Sequence, residues 1–442
     1  MEQLLESEPV KTGGASRAPN WLKPAAWLKE KRLSRSFWEF FAVTFFWDVG
    51  ISVYIFLFNL YLLDCHFNER IMGLVGGAFV FGSVIGTLPA GWLARRTGLR
   101  PLLIFCMTAA PLLCMVRTMV MWESAQIGMA FLTGLAMCSW GVCFLPALAR
   151  LTTEENRSSA FSLIFSGSIG FSALGGLICS FVPRWLRMAG YALQAVEVKR
   201  LILLASCAIT LMGLVPLLCL RLPLQETNLP PTQDKSGKQY WKMNPFLLRF
   251  LPLMALWTAV LASFTPYANV YLAQNIHIPF TQIGLIFSAA QMIQLCVILM
   301  TPMVFRWIGM VNGIVATQVA TAVTLGCLAG THNRQLTIAL YLSSSAMQWM
   351  STPGLYNLLM SRTPDKERST AAAMTLFCNA LLQSCATAGA GILFAQFGYP
   401  RVLVGIAALA LAAAFLFRTL IAPEDRVPAS VPCAGHLSAD SG

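Results

Sequence analysis

Apolar residues in this chain are gathered into long continuous runs, each closed by a short polar or basic stretch. A helix needs about 20 predominantly apolar residues to cross a hydrocarbon core, and twelve runs reach that length. Six lie at 37–63, 71–94, 101–122, 126–149, 159–182 and 201–220, and six more at 246–272, 282–305, 311–330, 336–360, 370–394 and 401–422. The pattern predicts an all-α membrane protein built from two six-helix bundles, 37–220 and 245–422. A basic N-tail (1–36) precedes them, a linker rich in Pro, Gln, Asp and Lys (221–244) joins them, and a loose tail (423–442) follows. The first run begins only after Lys23, Lys29, Lys31, Arg32 and Arg35 and far exceeds a signal-peptide core, so it reads as a retained helix.

Composition excludes the alternatives. Of 442 residues 57% are hydrophobic and 11% charged, with a mean hydropathy of +0.65. A soluble domain carries about 25% charged residues to cover its surface, and a disordered chain lacks the apolar surface seen here. The net charge of +12 would suggest nucleic acid in a soluble protein, but here the cations border the apolar runs, and no nucleic-acid partner is expected. Assigned to alternate sides, 23 Lys and Arg fall on the side of the N-tail and seven on the other. That asymmetry predicts an integral protein of the plasma (inner) membrane with both termini cytoplasmic. Arg184, Arg187, Lys199 and Arg200, between the fifth and sixth runs, form a local exception, and Arg117 lies inside a run near its outer end, where it is expected to snorkel.

No catalytic residue, cofactor or metal is expected. The thirteen cysteines are scattered without a Cys-x-x-Cys pair, and the four histidines lie outside the runs without ligand spacing. A phosphate-binding Gly-x4-Gly-Lys-Ser/Thr segment is absent, which disfavours ATP-driven transport. A membrane enzyme acting on lipid would need convergent catalytic groups, and the runs hold no histidine and few carboxylates.

The two halves repeat. Gly73-Leu74-Val75 and Gly284-Leu285-Ile286 stand 211 residues apart, as do Arg95 and Arg306, and Gly98 and Gly309. Thr152, Arg157, Ser158 and Ala160 match Thr363, Arg368, Ser369 and Ala371 at the same offset. Asn59-Leu60-Tyr61-Leu62 matches Asn269-Val270-Tyr271-Leu272 at offset 210. Two bundles of equal topology imply a relation about an axis along the membrane normal.

With this repeat, the loop Gly91-Trp92-Leu93-Ala94-Arg95-Arg96-Thr97-Gly98-Leu99-Arg100 resembles the G-x-L-a-D-R-x-G-R-R pattern of the major facilitator superfamily, over residues 37–422. The segment around Glu154, Glu155 and Arg157 is similar to that family's next cytoplasmic loop. The resemblance implies a rocking transporter in which every third helix faces lipid. Arg95 departs from the pattern by standing where the family usually has Asp, so a cytoplasmic latch would use other pairs, such as Arg95 or Arg96 with Glu154 or Glu155.

Candidate chemistry lies in the middle of the runs. Asp48 sits near the centre of the first, with Ser52 and Asn59 on the same helical face. An intramembrane carboxylate is costly, which marks Asp48 as a proton-coupling candidate, or else as a structural Asp bonded to its neighbours. The repeat places Thr258 opposite Asp48 and Asn269 opposite Asn59. Ser52, Asn59, Thr258, Asn269, Gln291, Gln294, Gln348, Trp349, Asn379 and Gln383 are candidates for lining a substrate cavity, because polar side chains donate and accept while rings stack. The expected function is secondary transport of a small organic solute, with a sensor that binds solute without moving it as the alternative. Protons and the lipid bilayer are the expected partners. Oligomeric state is not readable from the sequence.

Overall fold

In a bilayer every backbone polar group must be satisfied within its own segment, so the apolar runs fold as helices. The computed structural model describes residues 33–191, 193–220, 245–363 and 368–421. The first bundle holds α1 (Arg35–Asp64), α2 (Glu69–Thr97), α3 (Leu99–Met119), α4 (Glu123–Arg150), α5 (Glu154–Met188) and α6 (Ala195–Met212, continued by Leu214–Cys219). The second begins with α7, in which Pro245–Phe264 passes through a 3-10 turn at Thr265–Tyr267 into Ala268–Gln274. It continues with α8 (Phe280–Ile308), α9 (Met310–Gly330) and α10 (Arg334–Arg362). The last helical stretch, Arg368–Ile421, breaks at Gly398, where φ is 74°, into α11 (368–397) and α12 (399–421).

Ten segments combine the length and apolarity of a membrane span. The break at Gly398 divides one of them into two. The remaining leg, α10, is less apolar because Ser343, Ser344, Ser345, Gln348 and Ser351 sit in its middle, yet its 29 residues make it long enough to cross. The described chain thus has twelve helical legs.

Helix ends depart from the expected ones where polar residues prolong a helix beyond the apolar run. α5 starts five residues early because Thr153 and Asn156 form a reciprocal cap, the Thr153 amide donating to Asn156 Oδ1 at 2.9 Å. α6 starts at Ala195, so Lys199 and Arg200, read from the sequence as loop cations, are helical. The 1–32, 221–244 and 422–442 segments, which include most of the N-tail and the whole linker, lie outside the described residues.

The repeat is visible in the backbone. Among the described residues, positive φ occurs at His66 (65°) and His277 (53°), at Gly98 (89°) and Gly309 (86°), and at Gly190 (86°) and Gly398 (74°). The first two pairs stand 211 apart and the third 208. Gly98 closes α2 and opens α3, and Gly309 does the same between α8 and α9, a reversal that needs the left-handed region open to glycine. The tyrosines of the repeated Asn-x-Tyr-Leu segment also act alike: Tyr61 donates to the Thr118 carbonyl (2.8 Å) and Tyr271 to the Leu328 carbonyl (3.0 Å).

The bundles meet where α2 crosses α11 and α5 crosses α8. Glycines allow backbone to touch backbone: a Cβ on Gly73 would lie 2.9 Å from the Gly391 Cα, and one on Gly284 would lie 2.6 Å from the Gly176 carbonyl. Both contacts sit in the half of the molecule away from the termini. Buried apolar residues follow the same division. One cluster belongs to the first bundle alone, on the side of the termini, with Phe37, Phe40, Trp47, Leu103, Leu148 and Leu217. The other runs from Val53 through Val75 of the first bundle into Phe264, Tyr271, Ile283 and the rest of the second. The halves are therefore fused on the far face. On the side of the termini the connecting helices are bare, with Leu88 on α2 77% exposed and Leu299 on α8 72% exposed.

α9, expected to face lipid like α3, α6 and α12, turns its polar residues inward. Thr317, Gln318 and Thr321 are buried, and both threonines bond back to their own helix. Its polar stripe is thus an intrabundle packing face.

Candidate functional site

Asp48 lies thirteen residues into the 30-residue α1, about 20 Å from its start at 1.5 Å per residue. Small residues bring α5 and α6 against this helix: Ser52 lies against Gly175, and Gly50 against Ser206 and Thr210. Ser168 of α5 lies beside the Asp48 carboxyl, whose Oδ2 is buried with no hydrogen-bond partner. Two ion pairs seen among the described residues lie elsewhere, Arg35–Glu39 at 3.1 Å and Lys199–Asp64 at 2.7 Å. Asp48 thus has a neutral hydroxyl beside it and takes part in neither ion pair.

Rings surround it. Phe45, three residues before Asp48, meets Phe171 edge-on at 4.9 Å, and Phe41 meets the same Phe171 at 5.4 Å. Trp47 stacks on Trp140 at 4.5 Å. Two turns toward the far face, Phe56 packs on Phe287 of α8 at 4.8 Å, which puts a ring of each bundle above the carboxylate. Ser52 bonds the carbonyl of Val49 on its own helix (3.0 Å).

The second bundle contributes uncharged groups at the same depth. Gln294 and Gln348 each lie fourteen residues into their helices, about 21 Å along. Gln294 donates to Ser345 Oγ (2.7 Å), joining α8 to α10, and Thr265 donates to Gln348 Oε1 at 3.5 Å. Trp257 donates to Ser351 (3.1 Å). Trp349, one turn from Ser345, is 47% exposed and so is free to meet a ligand or lipid. Gln291 is half-buried and Gln383 exposed, and Asn379 is half-buried with its Oδ1 enclosed and unpartnered. Thr258, the repeat counterpart of Asp48, bonds the Met254 carbonyl of its own helix (2.9 Å).

Asn59 and Asn269 do something different from lining a cavity. Asn59 Nδ2 donates to the Pro266 carbonyl at 2.7 Å, and Asn269 Nδ2 donates to the Phe56 carbonyl at 2.5 Å. Each asparagine reaches the residue three positions before the other, so the two form a reciprocal clasp between α1 and α7 on the far face. Two more hydroxyls cross the interface there, Ser384 to the Gly77 carbonyl (2.7 Å) and Ser288 to the Ala173 carbonyl (2.7 Å).

Arg117 does not snorkel. It is 4% exposed, its guanidinium lies 4.4 Å over the Phe58 ring, and its Nε has no partner. Gln126 fixes the helix end beside it by donating to the carbonyls of Arg117 and Val120, each at 2.6 Å. Lys199 is also buried, paired with Asp64, donating to the Leu60 carbonyl (3.2 Å) and lying 5.4 Å over Phe280 of the opposite bundle.

The loop motif works through backbone contacts. Arg95 is exposed, and Arg96 stacks over Trp92 at 4.1 Å. Arg100 donates to the Leu218 carbonyl (2.6 Å), tying the loop to the end of α6. Gly91 has open space around it, and Arg157 and Arg306 are exposed. Arg368 donates to the carbonyls of Met360 (3.0 Å) and Thr363 (3.2 Å), closing the turn from α10 to α11. The side chains of Glu154 and Glu155 lie outside the described residues.

Sequence reasoning missed Ser168, Phe171 and Ser345. Gly167 and Gly170, next to Ser168 and Phe171 on α5, are the small-residue signal that points to this face.

Comparison with known proteins gives the same architecture. Residues 40–387 match the sequence profile of the Major Facilitator Superfamily. Comparison with curated protein sequences finds no match at the threshold applied. Among solved structures, a point mutant of the nucleoside transporter NupG superposes with a TM-score of 0.73 at 14% identity, covering 88% of this chain and 100% of that one. A D-xylose-proton symporter gives 0.69 at 13% identity, covering 86% and 96%. A bacterial homolog to the human lysosomal transporter Spinster, in an inward-facing and occupied conformation, gives 0.69 at 10% identity, covering 88% and 97%.

Proposed function

The chain belongs to the major facilitator superfamily, and on that footing we propose that it is a secondary active transporter that moves a small organic solute by alternating access, with Asp48 carrying a coupled proton. The observation behind this reading is the half-buried mid-depth carboxylate whose Oδ2 has no partner. A charged side chain at the bilayer centre costs at least about 2.5–3.5 kcal/mol, and binding a proton removes that penalty. A group of this kind changes its proton affinity when its access to water changes from one face to the other, which is what coupling requires.

The far-face clasp and the bare helices on the side of the termini describe a protein open toward that side. The excess of Lys and Arg there makes it the cytoplasmic side, with both termini inside the plasma (inner) membrane. On this reading Gln291, Gln294, Gln348, Asn379 and Trp349 hold the solute, supported by their mid-span positions. The shared fold with a nucleoside transporter and a D-xylose-proton symporter supports an organic solute and proton coupling.

The test is uptake into proteoliposomes under an imposed pH gradient. Uphill movement is expected to collapse with a protonophore, and Asp48→Asn is expected to lose uphill movement while keeping solute exchange. Undiminished uphill transport in Asp48→Asn overturns the coupling role. The exposed Arg95, in place of the family's Asp, favours a second reading as a solute sensor, and ligand binding without flux would establish it.

A further inference from the structure

We propose that Cys114 and Cys207, beside the buried guanidinium of Arg117, form a peroxide-reactive thiol pair that closes to a disulfide within the first bundle. The site is separate from Asp48 and does not depend on the transport reading.

The first observation is a buried cation without an anion. Arg117 is buried, its guanidinium lies 4.4 Å over the Phe58 ring, and its Nε has no partner. It takes part in neither of the two ion pairs seen among the described residues. Carboxylates on the neighbouring helices are engaged or distant. Asp64 holds Lys199, Glu39 holds Arg35, and Glu197 accepts from the Gln194 amide at 3.0 Å in the cap of α6. Glu69 lies beside Tyr267 and Tyr399 of the second bundle, and Glu123 is exposed at the start of α4. Asp48 precedes Phe58 by ten residues, about 15 Å along α1.

The second observation is what stands beside the guanidinium. Cys114 and Arg117 are three residues apart on α3 and so share a face. Tyr54 donates to the Cys114 carbonyl (3.1 Å) and stacks on Phe58 at 4.9 Å, which gathers Cys114, Phe58 and Arg117 around one phenol. The thiol of Cys207 on α6 lies beside that of Cys114. Both thiols are buried and free. Reactive thiols are those next to a fixed positive charge, because the thiolate is the nucleophile. A guanidinium keeps its charge in a protein, so the thiol one turn away is the group placed to balance it as a thiolate.

Hydrogen peroxide is neutral and close to water in size, so burial does not exclude it. The Cys114 thiolate attacks one peroxide oxygen: the S–O bond forms, the O–O bond breaks and hydroxide leaves, giving a sulfenic acid. The Cys207 sulfur then attacks the Cys114 sulfur: the S–S bond forms, the S–O bond breaks, and the hydroxide leaves with the Cys207 proton as water. The first hydroxide takes up the proton that Cys114 released. Two thiols and one peroxide thus give one disulfide and two waters, the sulfurs losing two electrons and the peroxide oxygens gaining them. The bond ties α3 to α6 inside one bundle and leaves the interface between the bundles untouched.

The test exposes the purified full-length protein, reduced and monodisperse in detergent, to hydrogen peroxide, and reads the thiols by peptide mass spectrometry after unfolding and alkylation. Cys179, a buried thiol of α5 with no basic residue beside it, is the internal control. The linked Cys114–Cys207 peptide is expected, forming at least about tenfold faster than Cys179 is oxidised. Arg117→Gln should slow its formation about three- to thirtyfold, because the thiolate fraction falls while the remaining thiolate is more nucleophilic. Arg117→Lys, which keeps a charge, should restore most of the rate. Cys207→Ser should leave Cys114 as a sulfenic acid that dimedone labels, and Cys114→Ser should leave Cys207 unlabelled. Oxidation of Cys114 no faster than Cys179, with no linked peptide, overturns the pair. A linked peptide that forms as fast in Arg117→Gln as in wild type overturns the part given to the guanidinium. Should Arg117→Gln fail to fold, the ratio of Cys114 to Cys179 oxidation in wild type decides, and a ratio near one overturns the proposal.

Discussion

Removing the asparagine clasp is predicted to open the far face. Asn59 and Asn269 each give one amide hydrogen bond to a carbonyl of the opposite bundle. Hydrogen bonds between helices in membranes contribute about 0.6 kcal/mol on average and up to about 1.7, so the pair is worth roughly 1–3 kcal/mol. Because both bonds exist only with the far face closed, Asn59→Ala with Asn269→Ala should move the equilibrium toward the open-outward form about 5- to 150-fold. Each single substitution should give about half of that free energy. The change is measurable as a distance distribution between spin labels at Arg70 and Asn275, both exposed on the far face and in opposite bundles, in a background lacking reactive cysteines. Wild type should give one short population and the double variant a second, longer one. If the distribution is unchanged while the protein remains folded and monodisperse, the clasp does not hold the face shut. The reasoning would then have to shift the closing energy to the glycine contacts.

Three further outcomes follow from the same geometry. Asp64→Ala should lower the melting temperature, with a loss of up to about 3 kcal/mol because Lys199 is left buried without its anion; the double variant Asp64→Ala with Lys199→Met should recover most of it. Gly284→Val should destabilise the protein by about 1–3 kcal/mol, since its Cβ would press on the Gly176 carbonyl and overpacking at a backbone contact has that scale; thermal unfolding with a far-face distance measurement checks it. Gly98→Ala and Gly309→Ala should each cost about 1–2 kcal/mol, the penalty of a left-handed conformation for a side chain, and should cost the same, because the repeat gives both the same duty.

The architecture was legible because hydrocarbon imposes a one-dimensional constraint: a run either is long and apolar enough or it is not. Even so, α10 fell below the apolarity of its neighbours, and only the repeat and its length place it as a span. Contacts between helices were less legible. The face shared by Asp48, Ser52 and Asn59 could be read from helical periodicity, but periodicity does not say what faces it. Asn59 looked like a cavity residue because a polar side chain in a span suits either a ligand or another helix, and the distinction depends on where α7 bends at Thr265–Tyr267. Arg117 was misplaced for a related reason. Its distance from the helix end suggested a reach to the headgroups, whereas Phe58 offered a nearer surface.

The repeat also separates scaffold from chemistry. Several residues that the two halves share do equivalent structural work: Gly98 and Gly309 turn the chain, Tyr61 and Tyr271 bond a carbonyl of the third helix, and Asn59 and Asn269 clasp each other's backbone. A two-fold arrangement of this kind can rock between two closed ends because neither half is privileged. The shared residues named here carry no charge and so cannot by themselves store a proton. At positions 48 and 258 the halves part company. Thr258 satisfies its hydroxyl on its own helix, and Asp48 keeps an oxygen without a partner. The difference between Asp48 and Thr258 thus puts a carboxylate with an unpartnered oxygen in one half alone. Transplanting the acid, by combining Asp48→Thr with Thr258→Asp, is expected to restore proton binding in titration but not uphill transport, because the surroundings of position 48, with Ser168 and Phe171, stay with α1 and α5. Recovery of uphill transport in that variant would show that a carboxylate in either half, without those surroundings, suffices for coupling.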